Sequence, residues 1–234
     1  MMTKKSFWKM PLKAVLAAAL ALSMALIFTS CGNGGDTGPT ETNAALASRT
    51  LTGNVYTFDY DDFSFDRFIP SAAITVITSR PDIGVTGTIN AQGVFNFELP
   101  ATLPVGLPME LVQDLFFYYD DHRWPIGATN LASGIILNLE VPMPPASLTR
   151  SNITETRDVF VTFIYLNNAT TIYLSEAYSF DDWDFGTVTI DPFRIGMQQG
   201  WNAIYETTIL AANTLRLGFS GGEPAGLKWV KWDW

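Results

Sequence analysis

The chain has 234 residues, of which 47% are hydrophobic, 13% aromatic and only 16% charged, richer in rings and poorer in charge than an average soluble domain, which excludes a disordered chain. A single cysteine excludes an internal disulfide and every multi-cysteine metal site, and a single histidine excludes His-rich zinc centres and any triad not built on His122.

In chain order, Lys4, Lys5, Lys9 and Lys13 precede an apolar run from Ala14 to Phe28 that only Ser23 interrupts. This is the layout of a signal peptide, and its fifteen residues fall short of the roughly 20 that a spanning helix needs. Ile27-Phe28-Thr29-Ser30-Cys31 resembles the lipobox of bacterial lipoproteins, an aliphatic residue and small residues ahead of the cysteine that is acylated before cleavage. The resemblance implies a lipid on Cys31, an exported part without a thiol, and a place in the bacterial cell envelope, at the outer membrane or a periplasm-facing leaflet. An ordinary signal peptide with a chance cysteine is the competing reading. Residues 32–48, rich in Gly, Thr, Asn and Ala with no apolar period, read as a flexible tether. The expected organisation is thus a signal peptide over 1–30, a tether over 31–48 and a β region over 49–234.

Removing the four signal lysines from the 14 Lys and Arg leaves ten against 23 Asp and Glu, a net charge of about −13. That sign disfavours nucleic acid and anionic lipid headgroups, both of which recruit Lys and Arg.

From Arg49 on, β-branched and aromatic runs alternate with Gly, Pro, Asn and Asp, the punctuation of short strands. The pattern predicts strands over 50–58, 72–79, 85–90, 94–99, 134–140, 158–166, 170–175, 187–190, 201–208, 214–219 and 228–233. Residues 110–119 read as a short helix or a further strand. Two turns predict antiparallel neighbours, Asn90-Ala91-Gln92-Gly93 through its glycine and Asn167-Asn168 through asparagine's tolerance of positive φ. The Pro-rich stretch Val141-Pro142-Met143-Pro144-Pro145 marks either an internal boundary, over 141–157, or a long crossover.

Leu51-Thr52-Gly53-Asn54-Val55, Ser71-Ala72-Ala73-Ile74-Thr75-Val76 and Thr88 to Pro100 resemble the carboxypeptidase regulatory-like, transthyretin-like sandwich domains over about fifty residues. An acidic aromatic insertion, Asp59 to Phe68, lengthens the first connection. In the second half, Tyr165-Leu166-Asn167-Asn168 and Gly200-Trp201-Asn202-Ala203-Ile204-Tyr205 look like uncharacterised lipoproteins of spirochaetes and Bacteroidetes. Together they imply an all-β, antiparallel β-sandwich of transthyretin-like or immunoglobulin-like kind, as one unit or as two packed subdomains.

Chemistry-bearing residues are few. Gly218-Phe219-Ser220-Gly221-Gly222 has nucleophile-elbow spacing, but no histidine follows and no helix is signalled after it. His122 lies in a charged loop, where a solvated imidazole is the default. Asp59, Asp61, Asp62 and Asp66 in one loop, and Asp181, Asp182 and Asp184 in another, are the hard-oxygen groups that calcium takes, set against the blander role of solvated edge charges. Trp183, Trp201, Trp229, Trp232 and Trp234 crowd the second half; in 228–234 strand alternation puts Val230, Trp232 and Trp234 on one face and Trp229 and Lys231 on the other. These rings either close the core or form an exposed platform for a glycan or protein partner. A closing strand of an outer-membrane barrel is a third reading, opposed by the short, irregular strands. No cofactor is expected. The sequence favours a non-catalytic binding or structural module anchored by lipid, with a glycan binder and an envelope hydrolase as alternatives.

Overall fold

The computed structural model describes residues 38–115, 124–142, 145–182, 185–211 and 214–233. In chain order its strands are β1 (Glu41–Asn43), β2 (Thr50–Asp59), β3 (Ser64–Arg67), β4 (Ile74–Thr78), β5 (Thr86–Ile89), β6 (Val94–Glu98), β7 (Glu110–Leu111), β8 (Gly127–Ala128), β9 (Ser133–Leu137), β10 (Leu139–Pro142), β11 (Pro145–Ile153), β12 (Arg157–Leu166), β13 (Thr170–Leu174), β14 (Tyr178–Asp182), β15 (Gly186–Ile190), β16 (Phe193–Met197), β17 (Gly200–Ala211), β18 (Thr214–Ser220) and β19 (Lys228–Asp233). The fold is all-β. Among the described residues the only helical pieces are two 3-10 turns, Pro81–Ile83 and Val112–Asp114, and no helix is long and apolar enough to cross a membrane.

Seven strands pair in a closed circuit: β10 with β4, then β5, β6, β2, β19, β11 and back to β10. The expected all-β class is present, and residues 50–100 supply four of these strands as members of the closed circuit. Closure depends on β11 changing partner along its length. Ser151 pairs with Phe160 of β12, whereas Leu148 pairs with Leu139 of β10. The last strand, β19, fills the remaining gap, antiparallel to β11 and parallel to β2. Closing a sheet removes its exposed edges, and a barrel this narrow is filled by its own side chains. Leu51, Val55, Phe95, Phe97, Leu148 and Trp229 occupy the interior.

Outside the circuit the sheet continues from β12 through β17, β18 and β15 to β14, and a second, four-stranded sheet runs β1-β16-β13-β8. Parallel pairing recurs between β15 and β18 and between β1 and β16. Alternation along β12 and β17 makes them a wall with a core on each side. Val161, Phe163, Ala203 and Tyr205 belong to the barrel core, while Ile164, Leu166 and Ile204 join Ile172, Leu174, Phe193 and Ile195 of the small sheet in a second core.

The turn at Asn90 joins β5 to β6 as an antiparallel hairpin. Gly93 sits at φ +70, and the Asn90 side-chain carbonyl accepts from the N–H groups of Gln92 and Val94. The turn at Asn167 is a correction. β12 and β13 lie in different sheets, and the Asn167 side-chain Oδ1 accepts from Ser133 N at 2.8 Å rather than closing a hairpin. The Pro-rich stretch is also not a break between units: Pro142 and Pro145 face each other across the β10–β11 pair, inside the one compact unit that the described residues from Gly38 onward form. Structure begins before the expected limit of the tether, since β1 pairs with β16, Ala44 is fully buried, and Leu46 N donates to the Trp201 carbonyl.

Candidate functional site

The insertion of residues 59–68 is the hairpin of β2 and β3, in which Phe58 faces Phe65 across the pair. Alternation puts Tyr56, Phe58 and Phe65 on one side of the hairpin and Thr57, Asp59, Ser64 and Asp66 on the other. Phe58 is the centre of an aromatic group, with ring centroids 4.9 Å from Tyr60, 6.1 Å from Phe63, 4.9 Å from Phe65 and 5.7 Å from Trp232. Tyr60 is 55% exposed, so the group opens to solvent. The Lys228 ammonium lies 4.0 Å from the Phe65 centroid and 5.4 Å from that of Tyr56, a cation held against ring faces.

Phe63 has φ +52, the one non-glycine residue with positive φ among those described. For a bulky side chain this is a strained conformation that the surroundings must impose. Two carboxylates set the turn around it: Asp59 Oδ1 accepts from Asp61 N at 2.8 Å, and Asp62 Oδ1 from Ser64 N at 3.1 Å. Burial and the charge of Asp158 raise the Tyr60 hydroxyl above its ordinary value. Asp158 itself is pushed up to about 6 by burial, against a backbone hydrogen bond from Thr154 that lowers it. Ser151, on β11 opposite Lys228 and Phe160, is fully buried and its hydroxyl has no hydrogen-bond partner.

Beside this group, where β11 leaves β12 for β10, a half-open cavity of about 250 Å3 is lined by the polar Asn138, Glu140, Ser147 and Thr149 and by the apolar Leu137, Leu139, Leu148, Val161 and Phe163. A second polar cluster joins Tyr205 of β17, Arg150 of β11 and Glu223. Burial and the Glu223 carboxylate raise the Tyr205 hydroxyl to about 12, opposed by Arg150, which pairs with that same carboxylate.

The tryptophans expected to act together divide between core and surface. Trp229 is 3% exposed, packs in the barrel core with its ring tilted against Phe95 at 4.6 Å, and donates its Nε1 hydrogen to the Thr52 carbonyl at 3.1 Å. Trp201 is 7% exposed and donates to the Pro100 carbonyl. Of the described rings in that set, only Trp232 reaches the outer aromatic group. Cys31, His122, Trp183, Asp184 and Trp234 lie outside the described residues.

The described carboxylates of the two acidic loops make mostly local contacts. Asp59 and Asp62 are committed to their own turn, and Asp66 sits across from Thr57 on β2. In the other loop Asp182 Oδ1 accepts from Phe185 N and Asp181 from the Thr187 hydroxyl. No group of three or more metal-ligating side chains forms among the described residues. Ser220 ends β18, its hydroxyl donates to the Gly222 carbonyl at 3.3 Å, and the chain goes on to β19, not into a helix. The elbow spacing therefore has none of the geometry that exposes a nucleophile.

The functional expectation for residues 59–68 rests on their carboxylates, whereas the structure brings their rings together. The alternation of Tyr56, Phe58 and Tyr60, followed by Phe63 and Phe65, was the available signal. Comparison of the chain with protein-family models, curated proteins and solved structures finds no match.

Proposed function

We propose that the chain is a cell-envelope protein, anchored by a lipid on Cys31, that binds a partner without catalysis through the aromatic face of the β2–β3 hairpin and β19. The observation that carries this is Phe63. A strained residue whose ring completes a solvent-open aromatic group is costly to keep for packing alone. Support also comes from the interior of the barrel, which side chains fill, so a ligand is met outside it. The serine and carboxylates that a hydrolase would recruit are engaged in local turns. In fold terms, the layer of β12, β17, β18 and β15 against β16 and β13 is the part we read as a sandwich.

Two measurements test the proposal. Metabolic labelling with a palmitate analogue should mark the parent and lose its signal in Cys31→Ala; equal labelling defeats the anchor. Retention of the protein on isolated, delipidated envelope fractions should fall several-fold in Tyr60→Ser with an unchanged urea midpoint. If sedimentation instead shows the parent associating with itself and Tyr60→Ser dispersing it, the face is an assembly surface and the structural alternative replaces this one.

A further inference from the structure

Strand register lines up a row on the outer side of the barrel. Glu140 of β10 stands opposite Ser147 of β11, and Ser147 opposite Trp232 of β19. Directly opposed residues hold their Cβ atoms about 4.5–5.5 Å apart, so carboxylate, hydroxyl and indole are immediate neighbours. Phe58 and Tyr60 flank the indole at 5.7 and 6.0 Å. Glu140 and Ser147 also line the 250 Å3 cavity, together with Asn138 and Thr149, the rest of its wall being apolar.

We propose that this row and its cavity bind one sugar ring of a glycan, an inference that rests on the non-catalytic binding function above. A pyranose presents an apolar C–H face and an edge of hydroxyls. The Trp232 ring offers the flat, polarisable surface that the first requires. Glu140, Asn138, Ser147 and Thr149 offer the mixed acceptors and donors that the second requires, and a carboxylate accepts from two neighbouring hydroxyls at once. An anionic ligand is opposed by Glu140 and by the net negative charge of the chain. A wholly apolar one would strip water from four polar side chains without replacing their hydrogen bonds. The cavity is smaller than the roughly 300–1,000 Å3 of drug-sized sites, which suits a single ring with the rest of the glycan lying out along Tyr60.

The test follows the Trp232 indole N–H signal of the full chain by NMR in a sugar-free detergent, the signal being assigned by its loss in Trp232→Phe. The probes are chitotriose, maltotriose and cellotriose at roughly 10 mM, about ten times the 1 mM Kd reasonable for one stacked ring, with tetramethylammonium as a cationic control. At least one saccharide should shift the signal saturably. Glu140→Gln and Thr149→Val, each with the parent's urea midpoint, should weaken that response about tenfold and several-fold respectively. Absence of a shift with every saccharide overturns the inference, as does a response to tetramethylammonium alone, which would assign the row to a cation. If saccharides fail while Tyr60→Ser still lowers envelope retention, the sugar assignment falls and the binding function stands; if both fail, the function falls with it.

Discussion

Phe63 shows how a single backbone angle shapes this surface. A non-glycine residue in the left-handed region costs on the order of 1–2 kcal/mol, and the contact of its ring with Phe58 offsets only part of that, about 0.5–1 kcal/mol. Phe63→Asn relieves the strain while deleting the ring, so its urea midpoint should stay within about 0.5 kcal/mol of the parent. Phe58→Ala deletes a half-buried ring with no strain to release and should cost about 2 kcal/mol. Asp158 is the residue through which stability depends most clearly on pH. Its carboxyl, raised by burial from 3.8 to about 6, binds extra protons in the folded state between those two values. Stability therefore falls as pH rises through that window, and the deficit is complete above it; Glu206 is raised for the same reason and adds in the same direction. Asp158→Asn should raise the unfolding free energy at pH 7 by about 1 kcal/mol, a figure reduced because solvent screens a half-buried group, and should change it little near pH 4. A gain of equal size at both pH values would contradict the assignment.

Among the elements, the predicted strands lie close to those observed, since β-branched alternation and glycine or asparagine turns are local chemistry. Residues 94–99 against Val94–Glu98 and 158–166 against Arg157–Leu166 are examples. Two of the strands outside the predicted set lack such a pattern: β1 is three polar residues, and β11 begins with Pro145 and carries Ser147, Arg150 and Ser151; β16 does alternate, but is only five residues long and directly follows Pro192. β1 is nonetheless tied in from several sides. Glu41 pairs with Arg194 at 2.8 Å, the Thr42 hydroxyl accepts from Gly221 N at 2.7 Å, and Ala44 closes the second core. A chain begun at Arg49 should therefore fold but lose about 2–3 kcal/mol relative to one begun at Gly38, the sum of a few net hydrogen bonds of about 1 kcal/mol each. Equal thermal midpoints for the two would show that β1 is an ornament of the edge of β16. The carboxyl-terminal end of the predicted 110–119 segment falls outside the described residues; its start is β7 followed by the 3-10 turn, a little of each expected form.

At the scale of the molecule, the two cores share β12 and β17, so neither closes without the other. Phe163 and Leu217 are buried in different cores, and truncating either to Ala removes roughly 3–4 kcal/mol of packing. Because the wall is common, both variants should shift one and the same transition, with near-UV and far-UV circular dichroism melting together. Two separated transitions in Leu217→Ala, one unmoved from the parent, would mean that the barrel stands without the second core. The same sharing explains why the Pro-rich stretch is no boundary: β10 and β11 on either side of it are adjacent staves of the barrel.

Sequence alone determined the class of structure, because alternation and turn residues act over a few positions and need no distant partner. It also placed Trp229 and Trp232 on opposite faces of the last strand. Only the tertiary structure decided which face is the inside, since that depends on β19 lying between β2 and β11, strands about 170 and 80 residues earlier in the chain whose pairing leaves no local trace. The same long-range choice closed seven strands into a circuit and brought Glu140, Ser147 and Trp232 into one row. None of those three residues announces the others in sequence. Register between distant strands is set by how whole faces bury, and that free energy is a property of the assembled core, not of any segment of it.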